Sequence, residues 1–370
     1  MSASGPDTTT SVTTTADPLV VETVERLLAA VCTHEEIERA EQTGWSATAW
    51  AALANAGFPW VGIDEARGGS GGTLFDLAAV LSAVGRFAAP VPVAETAMLG
   101  GWCLALAGLP LPAGPVAVVE TAPTIVDDRL RLDVVVAWAR HAERIVVMSE
   151  PGSGRTDVLS LRPDQVTVTA GANLAGEARD RVVADVALPD VEQNGIARDD
   201  LSVDLLHQRG ALSRVVMAAG ALRAMAQLTV DYTNERHQFG KPVATFQAVQ
   251  YHLVTAAQCA VRAQMAADVA VRALAGGKPG SEIAFARVVV DDAITLGTRA
   301  AHQAHGAMGV TREYDLQQLT RRLWSWRSEW GTTKGWRRRA GAGVAAAGHE
   351  GLFDLITDDG SVRDAATSRR

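Results

Sequence analysis

Residues 236–242 read Arg-His-Gln-Phe-Gly-Lys-Pro, and this heptapeptide lies between two segments with the apolar periodicity of long helices. Upstream, apolar residues recur every three or four positions from Val215 to Val230, and downstream they do so from Val249 to Val261. Gly240 and Pro242 are residues of the types that end helices and form turns. The heptapeptide therefore predicts a turn between two helices, and taken alone it would be no more than a helix end.

A second stretch, residues 303–314, reads Gln-Ala-His-Gly-Ala-Met-Gly-Val-Thr-Arg-Glu-Tyr and follows a third helical segment. The guanidinium of Arg236 is a rigid donor fork that suits a pyrophosphate, and Phe239 offers an apolar face to a flat ring. Glycines such as Gly306 and Gly309 let the backbone approach a dinucleotide closely. No Gly-x-Gly-x-x-Gly motif follows a predicted strand, so nicotinamide binding of the Rossmann type is not indicated.

Together the two stretches resemble the two signatures of the flavin-dependent acyl-CoA dehydrogenase family. They lie at the separation that the family shows, and the resemblance covers nearly the whole chain after Asp17. The first signature is carried by Gly220, Tyr232, Arg236, Gln238, Phe239, Gly240, Lys241, Pro242, Phe246, Gln247, Val249 and Gln250, and the second by residues 303–314. One such motif would arise by chance, but two in register with a matching order of domains would not.

The pattern along the chain predicts three domains. Helical periodicity at 18–112 gives way to short runs rich in Val, Ile and Leu at 113–198, and helical periodicity returns at 199–357. Residues 1–17 are predicted to be a disordered leader, and 358–370 a flexible tail. This order favours an α+β fold with an N-terminal all-α domain, a middle β-barrel or β-sandwich domain and a C-terminal four-helix bundle, which the resemblance also implies.

Turn and cap residues place some of the elements within these domains. A helix is predicted to begin near Ser46, an N-cap residue, and another to span residues 94–107 with Gly108 as its C-cap. Turn-forming residues such as Asp127-Asp128 separate the predicted strands. These strands are Pro115–Glu120, Leu130–Trp138, Arg144–Met148, Asp157–Leu161 and Arg181–Leu188.

The resemblance implies a cofactor, a substrate and a reaction. The cofactor is FAD, and the reaction is the α,β-dehydrogenation of an acyl-CoA thioester, with a steroid side chain or another bulky acyl group as one expectation. An electron-transfer flavoprotein or a similar acceptor would receive the electrons, and no metal is implied. The positions that match cofactor-binding positions of the family are Arg236, Gln238, Phe239, Phe246, Gln250, Gln303, Gly306, Ala307, Gly309, Thr332 and Trp138.

The resemblance also implies an assembly. In the family, the Arg-x-Gln-Phe segment of one subunit reaches FAD that is bound largely by its neighbour. A dimer is therefore the minimum, and a homo- or heterotetramer with FAD at the subunit interface is expected. Trp138 is expected on the strand that lies against the flavin ring, although an aromatic residue in a strand is also explained as core packing.

The catalytic base departs from the family pattern. The reaction needs a carboxylate beside the acyl α-carbon, in a site that excludes water. Most members have a Glu immediately before Gly-Thr, but Trp330 precedes Gly331-Thr332 here, and the alternative position, on the first long C-terminal helix, is Gly210. Glu329 lies one residue away, a rotation of about 100° on a helix. It is either the base, through a local shift, or a solvated partner of a nearby basic residue.

Other elements of the family's active site are missing as well. The Thr-Glu-Pro-x-x-Gly-Ser-Asp segment of the β-domain has no complete counterpart after Glu120, and Ala307 replaces the second glycine of a pair. These losses resemble short actinobacterial members that pair with a catalytic homologue in a heterotetramer for the breakdown of steroid side chains. Three hypotheses remain: a self-sufficient dehydrogenase that uses Glu329, a non-catalytic subunit that completes a partner's FAD site, and a flavin enzyme with another reaction such as hydroxylation or dehydration.

Composition restricts the class of protein. The 370 residues carry a formal net charge of -8, which argues against nucleic-acid binding because phosphate recognition needs a basic face. Subunit contacts explain the basic, Trp-rich run at 321–339 better than nucleic acid does. Three widely separated cysteines favour a reduced, cytoplasmic setting, and no apolar run approaches the ~18 residues of a membrane span.

Overall fold

The computed structural model of the chain describes residues 14–357, except 153 and 278, and omits the side chains of 350 and 352–357. Most of the predicted leader and all of the predicted tail at 358–370 therefore lie outside the described residues. Helices come first, two β-sheets follow, and long helices come last. This order confirms the predicted α+β fold.

The first helices pack around one apolar core. Ser46 caps the third of them, because its hydroxyl accepts a hydrogen bond from the Ala49 amide at 3.0 Å, as its position in the sequence predicted. A π-helical segment, Ala94–Gly101, continues directly into a last helix that Gly108 ends with a left-handed φ of +66°. The helices are α1 (Pro18–Val31), α2 (His34–Thr43), α3 (Ala47–Asn55), α4 (Leu74–Arg86) and α5 (Trp102–Ala107).

The middle of the chain forms two four-stranded sheets, ordered β1-β4-β5-β8 and β2-β3-β7-β6. All five predicted strands are present within one or two residues, and three short strands were not predicted: β2, β6 and β8. The pairing is antiparallel except between β1 and β4. The strands are β1 (Val116–Val118), β2 (Thr124–Val126), β3 (Arg129–Ala137), β4 (Arg144–Ser149), β5 (Arg155–Leu161), β6 (Thr167–Thr169), β7 (Arg179–Ala187) and β8 (Glu192–Ala197).

The first sheet is buried on both faces, and its side chains alternate between two cores. In β4, Ile145 and Val147 pack against the second sheet, whereas Val146 and Met148 join the core formed by the helices. Successive side chains of a strand point to opposite faces, so an apolar run such as β4 fits a central layer. The sheets therefore form a sandwich whose outer face supports the helical domains.

The C-terminal helices form a bundle that packs against α4. At the crossing of α4 and α6, a Cβ on Gly85 would lie 1.9 Å from the Met217 carbonyl oxygen, and one on Gly220 would lie 2.0 Å from the Ser82 carbonyl oxygen. Only glycine permits two helix backbones to approach this closely. The helices are α6 (Val203–Glu235), α7 (Gln247–Ala275), α8 (Glu282–His305), α9 (Leu316–Trp326) and α10 (Thr333–Thr357), which has a kink at Gly348.

Two further observations apply to the part of the chain that the structure describes. No helix there is both long and apolar enough to cross a membrane. Its histidine, cysteine, aspartate and glutamate side chains form no group suited to hold a metal ion, and Cys32, Cys103 and Cys259 are free thiols.

Candidate functional site

The heptapeptide at 236–242 forms a hairpin after α6. Two-residue strands, β9 (His237–Gln238) and β10 (Lys241–Pro242), pair in antiparallel register. The residues between them, Phe239 and Gly240, have φ angles of +52° and +79°, as a two-residue turn between twisted strands requires. A bulky residue seldom adopts such a φ. Despite this cost, the turn presents the Phe239 ring 92% exposed to solvent.

The second stretch forms the opposite wall. α8 ends at His305, and Gly306–Val310 makes a short 3-10 turn. Tyr232 of α6 stacks on His305 with ring centroids 4.5 Å apart, and the Tyr232 hydroxyl donates a hydrogen bond to the His305 carbonyl oxygen at 3.3 Å. These contacts bring together the ends of α6 and α8, and with them the two signature segments.

A cavity of about 440 Å³ lies between the two walls. Seven of the eleven predicted cofactor positions line it: Arg236, Gln238, Phe239, Phe246, Gln303, Gly306 and Ala307. Its other lining residues are Tyr232, Val243, Val249, Ala304, His305 and Met308. The volume lies in the range of small-molecule sites in proteins.

The side chains around this cavity fit part of FAD. Arg236, Gln238 and Gln303 are exposed, and within the part of the chain that the structure describes their side chains make no hydrogen bond or ion pair. The Lys241 ammonium lies 4.5 Å from the centre of the Phe246 ring, which adds a cation at the rim. Unpaired donors with aromatic faces suit a pyrophosphate with a flat heterocycle. The donor set therefore fits the cofactor that the resemblance implies.

The other four predicted cofactor positions do not line this cavity. Gln250 is exposed on the first turn of α7, and Gly309 is buried behind the wall, against the His305 side chain. Thr332 lines a separate cavity of about 510 Å³, beside His207 and Trp336. Trp138 directly follows β3, with a left-handed φ of +63°, and lines the interior cleft described next.

The two positions at which the family carries its base are in direct contact inside the molecule. Trp330 is 2% exposed, and its indole lies against Gly210 of α6. A Cβ at Gly210 would be only 2.1 Å from Trp330 Cδ2. The Trp336 Nε1–H donates a hydrogen bond to the Trp330 carbonyl oxygen at 2.8 Å, which fixes the loop. Each position thus lacks a carboxylate, and the indole fills the space between them.

Glu329 is buried, 4% exposed, in an ion-pair cluster and is not a surface residue. Its carboxylate accepts a hydrogen bond from Arg214 Nε at 2.7 Å and lies 3.6 Å from Arg179 Nη1. Arg214 also binds Glu95. Burial alone would raise the pKa of the Glu329 carboxyl, but the Arg214 and Arg179 guanidiniums outweigh burial and hold that pKa below its ordinary value. A carboxylate held in this way is a weak proton acceptor.

The cluster extends into the β-domain and fills the cleft. Arg179 lies 3.4 Å from Glu120, and Arg322 Nε lies 3.1 Å from Glu177. Burial raises the pKa of both glutamates, despite the neighbouring guanidiniums. The space that remains among these groups is a cavity of about 10 Å³, room for one water molecule at most.

The sequence did not point to Glu95, Arg179 or Arg214 as parts of this cleft. Arg214 was visible as a charge within the apolar helical run after Gly210, one helical turn away from it. A charge in such a run needs a buried partner. That signal, with Glu95 in another apolar helical segment, was the available indication of an internal ion pair.

Two families match the helical parts of the chain. Residues 14–110 match the family described as acyl-CoA dehydrogenase, N-terminal domain, and residues 204–344 match the acyl-CoA dehydrogenase C-terminal domain. The chain is 27% identical over 332 residues to acyl-CoA dehydrogenase FadE34 of Mycobacterium tuberculosis (strain ATCC 25618 / H37Rv), which covers 85% of this chain and 45% of FadE34. It thus spans about half the length of that relative.

Shorter relatives and solved structures match over more of their length. Acyl-CoA dehydrogenase IpdE2 of the same M. tuberculosis strain is 28% identical over 285 residues, 76% of this chain and 82% of IpdE2. The ChsE4-ChsE5 complex from M. tuberculosis superposes with a TM-score of 0.79 and 22% identity, over 90% of this chain and 99% of that one. A steroid ACAD, Tcur3481-Tcur3483, gives 0.79 with 20% identity, over 89% and 97%. At these identities the structures show a shared fold.

Proposed function

The chain belongs to the acyl-CoA dehydrogenase family, and from this premise we propose that it is a subunit that completes the FAD site of a catalytic partner. In this proposal the complex carries out the α,β-dehydrogenation of an acyl-CoA thioester. The partner provides the carboxylate base and the acyl pocket, and this chain provides the cavity between the hairpin and the end of α8.

The contact between Trp330 and Gly210 carries the proposal. An acyl α-proton must be removed by a carboxylate within about 3 Å of it, in a site with room for the substrate. Neither family position offers a carboxylate, and the indole occupies the space that a substrate would need. Glu329, the nearest carboxylate in sequence, is held by Arg214 and Arg179 with a lowered pKa. The chain therefore lacks both the base and the room.

The cavity between the hairpin and α8 supports the cofactor-binding half of the proposal. FAD, when bound, accepts the hydride that leaves the acyl β-carbon. Arg236, with Gln238 beside it, would hold the pyrophosphate through charge-assisted hydrogen bonds. Gln303 would reach the same ligand from the end of α8. The Phe239 ring, exposed at the tip of its turn, would cover the cofactor where this chain meets its partner.

An apolar face on α7 supports an assembly. Five large apolar side chains are between 42% and 70% exposed, and their spacing puts them within one narrow face of the helix. They are Tyr251, Val254, Val261, Met265 and Val269. This stripe begins one turn after Phe246, at the cavity itself. A contiguous exposed apolar face of this kind marks a surface that another subunit covers.

The relatives support the class of assembly and substrate. One structural neighbour is a complex of two named chains, ChsE4 and ChsE5, and another is described as a steroid ACAD. A heterotetramer that acts on a steroid-derived or similarly bulky acyl-CoA is therefore the form we propose. An electron-transfer flavoprotein, or an acceptor like it, would reoxidise the complex.

Activity assays of the chain with and without a partner test this proposal. The chain would be co-expressed with an acyl-CoA dehydrogenase homologue encoded beside it that retains a Glu before its Gly-Thr pair. Acyl-CoA-dependent reduction of ferrocenium should be absent with this chain alone and present with the complex. In the complex, Glu329→Gln in this chain should change the rate by less than about twofold. Replacing the partner's Glu by Gln should lower the rate by at least about 100-fold.

Two results would contradict the proposal. One is dehydrogenation by this chain alone that Glu329→Gln abolishes, since this would make Glu329 the base. The other is a product of hydroxylation or dehydration, identified by mass spectrometry, since this would assign the fold a different reaction.

A further inference from the structure

His305 has a buried nitrogen without a partner in the wall of the cavity between the hairpin and α8. The side chain is 4% exposed and lines that cavity. Its Nδ1 lies 2.8 Å from the carbonyl oxygen of Ala301, one turn earlier in α8. Its Nε2 is buried and has no hydrogen-bond partner in the part of the chain that the structure describes. A buried polar atom left unpaired costs free energy, so its retention needs a reason.

The imidazole cannot turn to satisfy Nε2 elsewhere. Tyr232 stacks on the ring with an interplanar angle of 19°, and Tyr314 lies 5.1 Å from it at 56°. The Tyr232 hydroxyl also holds the His305 backbone carbonyl. With one face stacked and Nδ1 committed to Ala301, the ring has a fixed orientation. Its free edge carries Nε2.

The contacts also fix the proton on the ring. The Ala301 carbonyl only accepts hydrogen bonds, so Nδ1 carries the hydrogen and Nε2 carries a lone pair. Burial lowers the pKa of His305, more than the Ala301 carbonyl raises it, and the ring stays neutral. Nε2 is therefore a hydrogen-bond acceptor that faces a ligand cavity. A ligand group that meets it must be an N–H or O–H donor.

We propose that His305 Nε2 accepts a hydrogen bond from the adenosine part of the bound dinucleotide, either the adenine amino group or a ribose hydroxyl. A pyrophosphate offers acceptors only at neutral pH, so it cannot be the partner of Nε2. Arg236 and Gln238, as donors, serve the pyrophosphate, whereas His305 reads the nucleoside. This assignment rests on the proposed function, because it takes FAD as the ligand of the cavity.

Binding of ADP to the purified chain tests the assignment without any enzyme activity. The variants are His305→Phe, which keeps a ring for Tyr232 but has no acceptor, and His305→Gln, which keeps an acceptor oxygen. Calorimetry should show ADP binding about tenfold weaker in His305→Phe, since one hydrogen bond is worth up to about 1.4 kcal/mol, or a factor of ten. His305→Gln should retain affinity within about threefold. Thermal unfolding would verify that both variants are folded.

Analogues of ADP identify the donor. If the adenine amine donates, inosine diphosphate should bind the wild-type chain about tenfold more weakly than ADP and bind His305→Phe equally to ADP. If a ribose hydroxyl donates, 2′-deoxy-ADP or 3′-deoxy-ADP should show that behaviour instead. A loss in His305→Phe that is the same for all four nucleotides would overturn the proposal, because the ring would then act only through packing.

Arg236→Ala separates failure of this assignment from failure of the proposed function. If Arg236→Ala weakens ADP binding while His305→Phe does not, the cavity is a nucleotide site in which His305 has no part. If neither variant matters, or wild-type chain does not bind ADP at 10 mM (about the upper limit of a useful assay), the cavity is not the cofactor site. Both proposals would then fall.

Discussion

The indole of Trp330 occupies the position that a side chain on Gly210 would need, with Cδ2 only 2.1 Å from the site of a Cβ. These are the two positions at which family members carry a catalytic carboxylate. A single contact therefore removes both alternatives at once. It also joins the loop after α9 to α6, the helix at the centre of the bundle.

The Trp330–Gly210 contact should appear as strong coupling between substitutions. Gly210→Ala forces a methyl group into the indole and should destabilise the chain by about 1–3 kcal/mol. Trp330→Ala removes a buried indole and should cost about 3–5 kcal/mol. The double variant should cost at least about 1 kcal/mol less than the sum, because the cavity accepts the new methyl group. Urea unfolding of the four proteins measures this, and additive costs would refute direct contact.

Glu329→Gln should destabilise the chain by about 3 kcal/mol at pH 7, since it leaves the buried Arg214 and Arg179 short of a charge partner. The folded-state pKa of Glu329 is below its ordinary 4.5, so the stability it contributes is present above pH 4.5 and is lost as the pH falls through the folded pKa. The difference in unfolding free energy between wild type and variant should therefore shrink with acid.

Glu22→Gln is the matched control for that pH series. Glu22 is exposed on α1 and has no hydrogen bond or ion pair within residues that the structure describes. Its substitution should change the unfolding free energy by less than about 0.5 kcal/mol at any pH. A Glu329→Gln variant that is as stable as the control at pH 7 would show that the ion pairs of Glu329 contribute nothing.

Phe239→Ala should separate the stability of the chain from its binding of a partner's cofactor. The ring is 92% exposed, so the unfolding free energy of the isolated chain should change by less than about 0.5 kcal/mol. Loss of an aromatic anchor at an interface costs about 2 kcal/mol or more, so flavin retained by the complex should fall severalfold. Leu174→Ala, at a side chain 62% exposed in the β-domain, should leave flavin content unchanged.

The close crossing of α4 and α6 makes a prediction that is independent of function. Gly220→Ala would place a methyl group 2.0 Å from the Ser82 carbonyl oxygen and should cost at least about 2 kcal/mol. Gly341→Ala, in α10, meets nothing within 4 Å and should stabilise the chain by about 0.5–1 kcal/mol, because alanine favours the helix. Thermal unfolding would compare them. Equal shifts would mean that the helices do not cross so closely.

Local signals were sufficient for most of the fold. Ser46 and Gly108 marked helix ends because caps depend on neighbouring residues only. The strands that were not predicted lacked such a signal: β2 is three residues long with each one exposed, and β8 is mostly exposed. α2 was missed because seven of its ten residues are polar or charged, and the apolar stripe is reduced to Ile37 and Ala40.

The site was predictable only in part, for the same physical reason. The cavity between the hairpin and α8 is built from two contiguous segments, so seven of its residues could be named in advance. The ion-pair cluster is not: Arg214 is separated by 119 residues from Glu95 and by 115 from Glu329. Pairing over such distances is decided by tertiary packing, and a sequence pattern does not contain it.

The number of flavins in the purified complex tests the central claim most directly. FAD would be released by heat from the co-expressed heteromer, quantified by absorbance and divided by the protein concentration of each chain. The account predicts one FAD per pair of unlike chains, none on this chain purified alone, and loss of that single flavin when this chain carries Arg236→Ala. One FAD per chain, or a stoichiometrically flavinated homo-oligomer of this chain, would contradict it.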